Sequence, residues 1–84
     1  MDEIETAFQD AWERSKTLPP AATHLQLKMY GLGKQARDGD AKGDRPGLLD
    51  IKGRAKYDAW ASRRGMSRED AMVEYVQLVE ELGG

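Results

Sequence analysis

An 84-residue chain with 13 basic and 15 acidic side chains, a net charge of −2 and no cysteine has room for one domain, residues 1–84. So small a chain buries only about 60% of the surface its unfolded form exposes, so a deep, closed active site is not expected. Near-balanced charge gives no general field for nucleic acid or an anionic membrane, and without cysteine there is no disulfide framework, thiolate nucleophile or cysteine zinc site.

The opening residues MDEIETAF are acidic where a targeting peptide is basic, and no apolar run approaches the roughly 18 residues of a membrane span, so the expectation is a soluble, cytoplasmic protein without stable membrane insertion. Asp2, with Glu5 three residues on, reads as a helix start. Ile4, Ala7, Phe8, Ala11 and Trp12 then recur at helical spacing until Pro19-Pro20. Thr23 with Gln26 fits a capping box, and Leu25, Met29, Leu32 and Ala36 make a second stripe. Gly39, Gly43 and the Arg45-Pro46-Gly47 turn interrupt the pattern for about a dozen residues, long enough to be a crossover or a functional loop. Asp50 can cap a third helix bearing Ile51, Ala55, Ala59 and Trp60, which stops near Gly65. Ser67 with Glu69 and Asp70 starts a fourth, striped by Met72, Tyr75, Val76, Val79 and Leu82. No segment alternates with a period of two, so the fold class is all-α, a four-helix bundle with a long connection between helices two and three.

The second helix runs through Gly31-Leu32-Gly33-Lys34-Gln35, which is not a Walker-type phosphate loop. The position five before the Gly-Lys pair holds Lys28 instead of glycine, Gln35 replaces the serine or threonine, and a helix stripe replaces the leading strand. Two glycines inside a helix cost about 1 kcal/mol each relative to alanine. Either they are tolerated where little depends on them, or close packing or a ligand against the backbone offsets the cost. On a helical wheel Leu27, Tyr30 and Lys34 lie within about 60° of one another, off the core stripe. An apolar residue, a phenol and an ammonium in that order suit a molecule greasy at one end and anionic at the other.

Other function classes find little support. Arg63, Arg64 and Arg68 cluster between the last two helices, but there is no basic recognition helix, so nucleic acid is not an expected partner. His24, the only histidine, has no evident nucleophile or metal partner. Glu69-Asp70 and Glu80-Glu81 diverge around their helix, so no acid–base pair, catalytic residue, metal site or cofactor is expected, and the chain does not read as an enzyme. A helical bundle offering a groove to a partner helix, a protein docking module, is the alternative function.

The segment Arg45 to Trp60, RPGLLDIKGRAKYDAW, resembles the signature of the acyl-CoA-binding protein family. Its elements occur in order as Tyr30, Lys34-Gln35-Ala36, Gly39-Asp40, Arg45-Pro46-Gly47, Asp50, Gly53-Arg54-Ala55-Lys56 and Tyr57-Asp58-Ala59-Trp60, and Gly65 to Met72 followed by Tyr75 is similar to the family's fourth-helix start. The resemblance implies non-catalytic binding, buffering and intracellular transport of long-chain fatty acyl-CoA by a monomer, with acyl-CoA-using enzymes as candidate protein partners. Tyr30, Lys34 and Lys56 would hold the 3'-phosphate and ribose end of coenzyme A, and Lys16 would approach the phosphates. Leu27 would face the acyl chain, and Tyr75 would line the pocket.

Four departures stand out. Gly33 occupies the ligand-binding position where the family usually has a second tyrosine, which implies a lost aromatic contact and weaker binding. The first interhelical link looks one residue short. Ser15 replaces a common aliphatic residue, and Trp12 replaces a small one, either filling space that Ser15 leaves or narrowing the acyl groove.

Overall fold

The computed structural model describes residues 2–83. Four helices follow in order: α1 (Glu3–Ser15), α2 (Thr23–Asp38), α3 (Ile51–Ala61) and α4 (Arg68–Glu81), with no strand among the described residues. Three begin as the sequence indicates. The side chains of Asp2, Asp50 and Ser67 accept from the backbone N–H of Glu5, Gly53 and Asp70, satisfying donors that a helix start leaves free. The capping box expected at Thr23 does not form. Ala22 is the N-cap with no side-chain bond, and the Gln26 amide donates to the Ala21 carbonyl at 2.7 Å. Thr23 is already helical, so its hydroxyl stands one position too far along to cap.

The core is built by three helices. Phe8 and Ala11 of α1, Leu32 and Ala36 of α2, and Ala71, Met72, Tyr75, Leu78 and Val79 of α4 are buried together. Gly33 beside Tyr75 and Ala36 beside Arg68 show that α2 and α4 run antiparallel. The fully buried Gln35 pins this end of the bundle, donating through Nε2 to the Met66 carbonyl and to Asp40 Oδ1, both at 2.8 Å.

Helix α3 is different. It packs against α2 and no other helix, and none of its side chains is buried. Ile51, one of the apolar residues of this helix, is 77% exposed, because the face that would bury it has no second helix to meet. Gly31 sets the α2–α3 contact: a Cβ there would collide with the Ala59 carbonyl of α3, so only glycine lets the two backbones come this close. The glycine cost noted in the sequence is offset by packing at this position.

Tyr30 meets Lys56 and, one turn on, Lys34 meets Trp60, so α2 and α3 run parallel. Parallel neighbours need a connection that returns along the helix length. The 16 residues of α2 rise about 24 Å, and the dozen residues from Gly39 to Asp50 can span up to about 40 Å. Side chains of α3 fasten this return. Trp60 Nε1 donates to the Gly39 carbonyl at 2.7 Å and the Tyr57 hydroxyl to Gly43 at 3.0 Å. Arg54 Nε donates to the Pro46 carbonyl at 3.1 Å, and Arg45 forks onto Asp58 at 2.8 and 2.7 Å.

Adding a methyl at Gly31 is expected to lower stability by about 1–3 kcal/mol, the usual range for forced overpacking. Gly33→Ala, whose Cβ meets only ring atoms of Trp12 and Tyr75 at 3.2 and 3.4 Å, is expected to be neutral or stabilising. Denaturant midpoints of the two variants should therefore move apart. Asp40, held low by the Gly65 N–H and the Gln35 amide, and Asp58, held low by the Arg45 guanidinium, both titrate below the ordinary aspartate range. A lowered folded-state value means that their stabilisation is complete above the unfolded pKa of about 3.9 and is lost as pH falls through the lower folded values. The denaturant midpoint should be flat near neutrality and decline below about pH 4, with a shallower decline for Asp58→Asn.

Candidate functional site

The close approach at Gly31 leaves a hollow on one side of the α2–α3 seam. Its volume is about 600 Å³, and Thr23, Gln26, Leu27 and Tyr30 of α2 line it with Ile51, Lys52, Ala55 and Lys56 of α3. That size falls in the range of small-molecule sites, about 300–1,000 Å³. Because the helices are parallel, the hollow has two distinct ends. Thr23 and Ile51 mark the end at the helix starts, while Tyr30 and Lys56 mark the other.

Two lysines cross the seam in opposite senses. Lys56 Nζ of α3 lies 5.6 Å from the centroid of the Tyr30 ring on α2, and Lys34 Nζ of α2 lies 4.5 Å from that of Trp60 on α3. Each ammonium rests near an aromatic ring of the opposite helix, a favourable electrostatic arrangement. Lys34 also touches the Asp38 carboxylate at 2.7 Å, an i,i+4 pair on α2. That contact is the main reason the Asp38 carboxyl is held below the usual aspartate range. Lys56 has no carboxylate within ion-pair distance among the described residues. An anion entering between the helices would find one unpaired ammonium and one whose carboxylate partner must give way.

Of the residues singled out in the sequence, Leu27, Tyr30 and Lys56 line the hollow, and Lys34 stands one turn beyond Tyr30 on the same seam. Lys16, Gly33 and Tyr75 lie elsewhere. Lys16 caps the C-terminus of α1, exposed and 3.4 Å from Glu13. Tyr75 was expected to line the pocket, but it is 2% exposed inside the core, edge-on to Phe8 with centroids 5.1 Å apart and stacked on Trp12 at 6.0 Å. Burial raises its phenol above the ordinary value, and the Ser15 hydroxyl and the Arg37 charge draw it partly back. Gly33 is buried beneath Trp12 and Tyr75.

Trp12 explains the missing ring at Gly33. Its indole lies against the glycine, with the Arg37 guanidinium 4.2 Å from its centroid, and Arg37 Nε donates to the Gly33 carbonyl at 3.2 Å. The space is therefore filled from α1. Trp12 takes up room left by Gly33 and stays out of the groove lining, while Ser15 simply donates its hydroxyl to the Trp12 carbonyl at 2.6 Å.

The sequence did not single out Thr23, Gln26 and Lys52 as lining residues, marked Ile51 and Ala55 only as apolar positions of the third helix, and did not pair Asp38 with Lys34. Two signals were available. Lys52 and Lys56 are spaced i,i+4, as are Lys34 and Asp38, and residues four apart on a helix share a face.

Residues 5–79 match the family model described as acyl CoA binding protein. The chain belongs to the acyl-CoA-binding protein family. Acyl-CoA-binding protein homolog 1 of Caenorhabditis elegans is 44% identical over 77 residues, covering 90% of each chain. An acyl-CoA-binding protein of Ricinus communis is 42% identical over 82 residues, covering 96% of this chain and 91% of its own. Among solved structures, the crystal structure of Oryza sativa acyl-CoA-binding protein 2 superposes with a TM-score of 0.91 at 39% identity, over 94% of this chain and 89% of that one. Membership carries the family's general function, acyl-CoA binding without catalysis.

A Cβ at residue 33 already stands 3.2 Å from Trp12 Cζ3, so the ring added by Gly33→Tyr competes with the indole for the same space. The single substitution is expected to destabilise by about 1–3 kcal/mol. Much of that loss should disappear when Trp12→Ala is added, and a double-mutant cycle of unfolding free energies measures the coupling.

Proposed function

We propose that the 84-residue chain is a single acyl-CoA-binding domain that holds long-chain fatty acyl-CoA thioesters between α2 and α3. The observation that supports this most directly is the pair of lysines on the seam, Lys56 in the lining of the hollow and Lys34 one turn beyond Tyr30, with Leu27, Ile51 and Ala55 among the residues of its wall. In this reading Tyr30, Lys34 and Lys56 hold the 3'-phosphate and ribose end of coenzyme A, and Leu27 faces the acyl chain. Lys16 reaches the phosphates only by leaving Glu13. Gly33 and Tyr75 act from beneath α2, the tyrosine by seating Trp12 over the glycine.

Each charge-assisted hydrogen bond contributes about 1.5–3 kcal/mol. Ten buried methylenes, at up to about 0.8 kcal/mol each, outweigh any single lysine. Affinity accordingly rises with chain length, while the phosphate contacts discriminate against a free fatty acid. A cytoplasmic monomer of this kind buffers its ligand and carries it to acyl-CoA-using enzymes.

Calorimetric titration with palmitoyl-CoA, free coenzyme A and palmitate tests the proposal: tight, weak and negligible binding are expected in that order, and equal affinity for all three would overturn it. Lys34→Ala is expected to weaken palmitoyl-CoA binding by about 1.5–3 kcal/mol with little change in stability. Asp38→Asn should do the reverse. Freeing Lys34 from a partly exposed i,i+4 pair worth about 0.3–0.5 kcal/mol should tighten binding about twofold in the same titration.

A further inference from the structure

Charge sorts by helix in this fold. Helices α1 and α4, which pack on each other, carry nine acids and two bases, whereas α2 and α3, which pack along the seam, carry six bases and two acids. Both acids of the basic pair are already matched: Asp38 with Lys34 and Asp58 with Arg45, each at 2.7 Å. The net charge of −2 therefore conceals a molecule that is acidic on one side and basic on the other. The two acidic helices are the first and last of the chain, so only packing reveals that they share a side.

Positive charge is concentrated further at the Lys34 end of the seam. Arg64 Nη2 donates to the Ala41 carbonyl at 3.4 Å and the Tyr57 hydroxyl donates to the Gly43 carbonyl at 3.0 Å, so the residue between them, Lys42, is held beside α3. The charges of Lys34, Arg37 and Lys42 all act on the Asp38 carboxylate. Lys34, Arg37, Lys42 and Arg64 thus gather at one end of the seam around little negative charge. Arg37, Lys42 and Arg64 do not line the hollow, so contact with a molecule inside it does not account for their placement.

We propose that this segregation steers an anionic ligand to the seam. The basic side draws the phosphates of a coenzyme A thioester toward the Lys34 end, the acidic side repels approach from behind, and charges outside the hollow set the association rate. The ligand's identity rests on the acyl-CoA reading above. The length scales suit such steering. The molecule measures 38 × 27 × 15 Å, while the Debye length is about 10 Å at 0.1 M salt and about 30 Å at 0.01 M. A ligand approaching the seam feels the nearer cations more than the acids behind them, because Coulomb energy falls with distance and screening steepens the fall. Steering of this kind raises on-rates by about 10- to 1,000-fold and fades as salt is added. The sign of the salt effect is decisive. Chain and ligand are both net negative, so an even spread of charge would make added salt speed association, whereas the sorted arrangement makes it slow association.

The test is stopped-flow mixing of the full chain with dodecanoyl-CoA, followed through the emission of Trp60, which lies beside Lys34 on the seam. Between about 0.02 and 0.5 M sodium chloride the association rate constant is expected to fall about tenfold, with the dissociation rate constant held within about threefold. Two substitutions at exposed positions make the net charge more negative by the same single unit on opposite sides of the molecule. Lys42→Gln, at the seam, is expected to slow association about threefold at about 0.02 M salt and to match the wild type at about 0.5 M. Gln77→Glu, on α4, is expected to stay within about 1.5-fold of the wild type throughout. Association that quickens or holds level as salt is added, or equal slowing by the two substitutions, would overturn the steering while leaving acyl-CoA binding intact. Absence of any binding of dodecanoyl-CoA in an equilibrium titration would instead overturn the acyl-CoA reading and the steering together.

Discussion

At Gly31 the backbone of α2 meets the Ala59 carbonyl of α3 so closely that any Cβ at position 31 would collide with it. Their contact brings two parallel helices together where neither has a large apolar face to offer the other. Without it α3 would have no partner, because it reaches neither α1 nor α4. The groove, the crossed lysines and the long return loop all follow from that one approach. The three-helix core of α1, α2 and α4 supplies the rigidity against which this weaker layer is built.

The electrostatics of the seam differ from those of a conventional ion-pair network. Lys34 and Lys56 each face an aromatic ring on the opposite helix, and both remain on one seam. Asp38 partly neutralises one of them. A cationic site in a chain with more acids than bases therefore depends on local placement, with general charge contributing nothing.

Much of the architecture was legible in the sequence because its signals are local. Asp2, Asp50 and Ser67 cap the helices they precede, and the Leu32-Ala36 and Met72-Tyr75-Val79 stripes are buried as their spacing indicates. Thr23 misled because a capping box specifies a composition, whereas the cap depends on which residue first turns helical. Ile51 misled because periodicity shows that a helix has an apolar face but not whether a neighbour exists to cover it. Leu27, Tyr30, Lys34 and Lys56 fall on the seam as the helical wheel and the family resemblance together suggest. Trp12 could not be placed, since its contact with Gly33 joins α1 to α2 across the bundle and leaves no trace in either helix alone.

The bonds that tie residues 39–50 to α3 also bear on what a sequence signature reports. Arg45, Arg54, Tyr57, Asp58 and Trp60, among the most recognisable letters of the pattern, spend their polar atoms on one another or on loop carbonyls. Within that stretch only Lys56 combines a place in the signature with an uncommitted charge on the groove. A descendant that exchanged Lys34 and Lys56 for neutral residues would keep the brace and the parallel helices while its seam lost both ammonium groups. The pattern in this stretch is written chiefly in scaffolding, and the two ammonium groups on the seam are what that scaffolding presents.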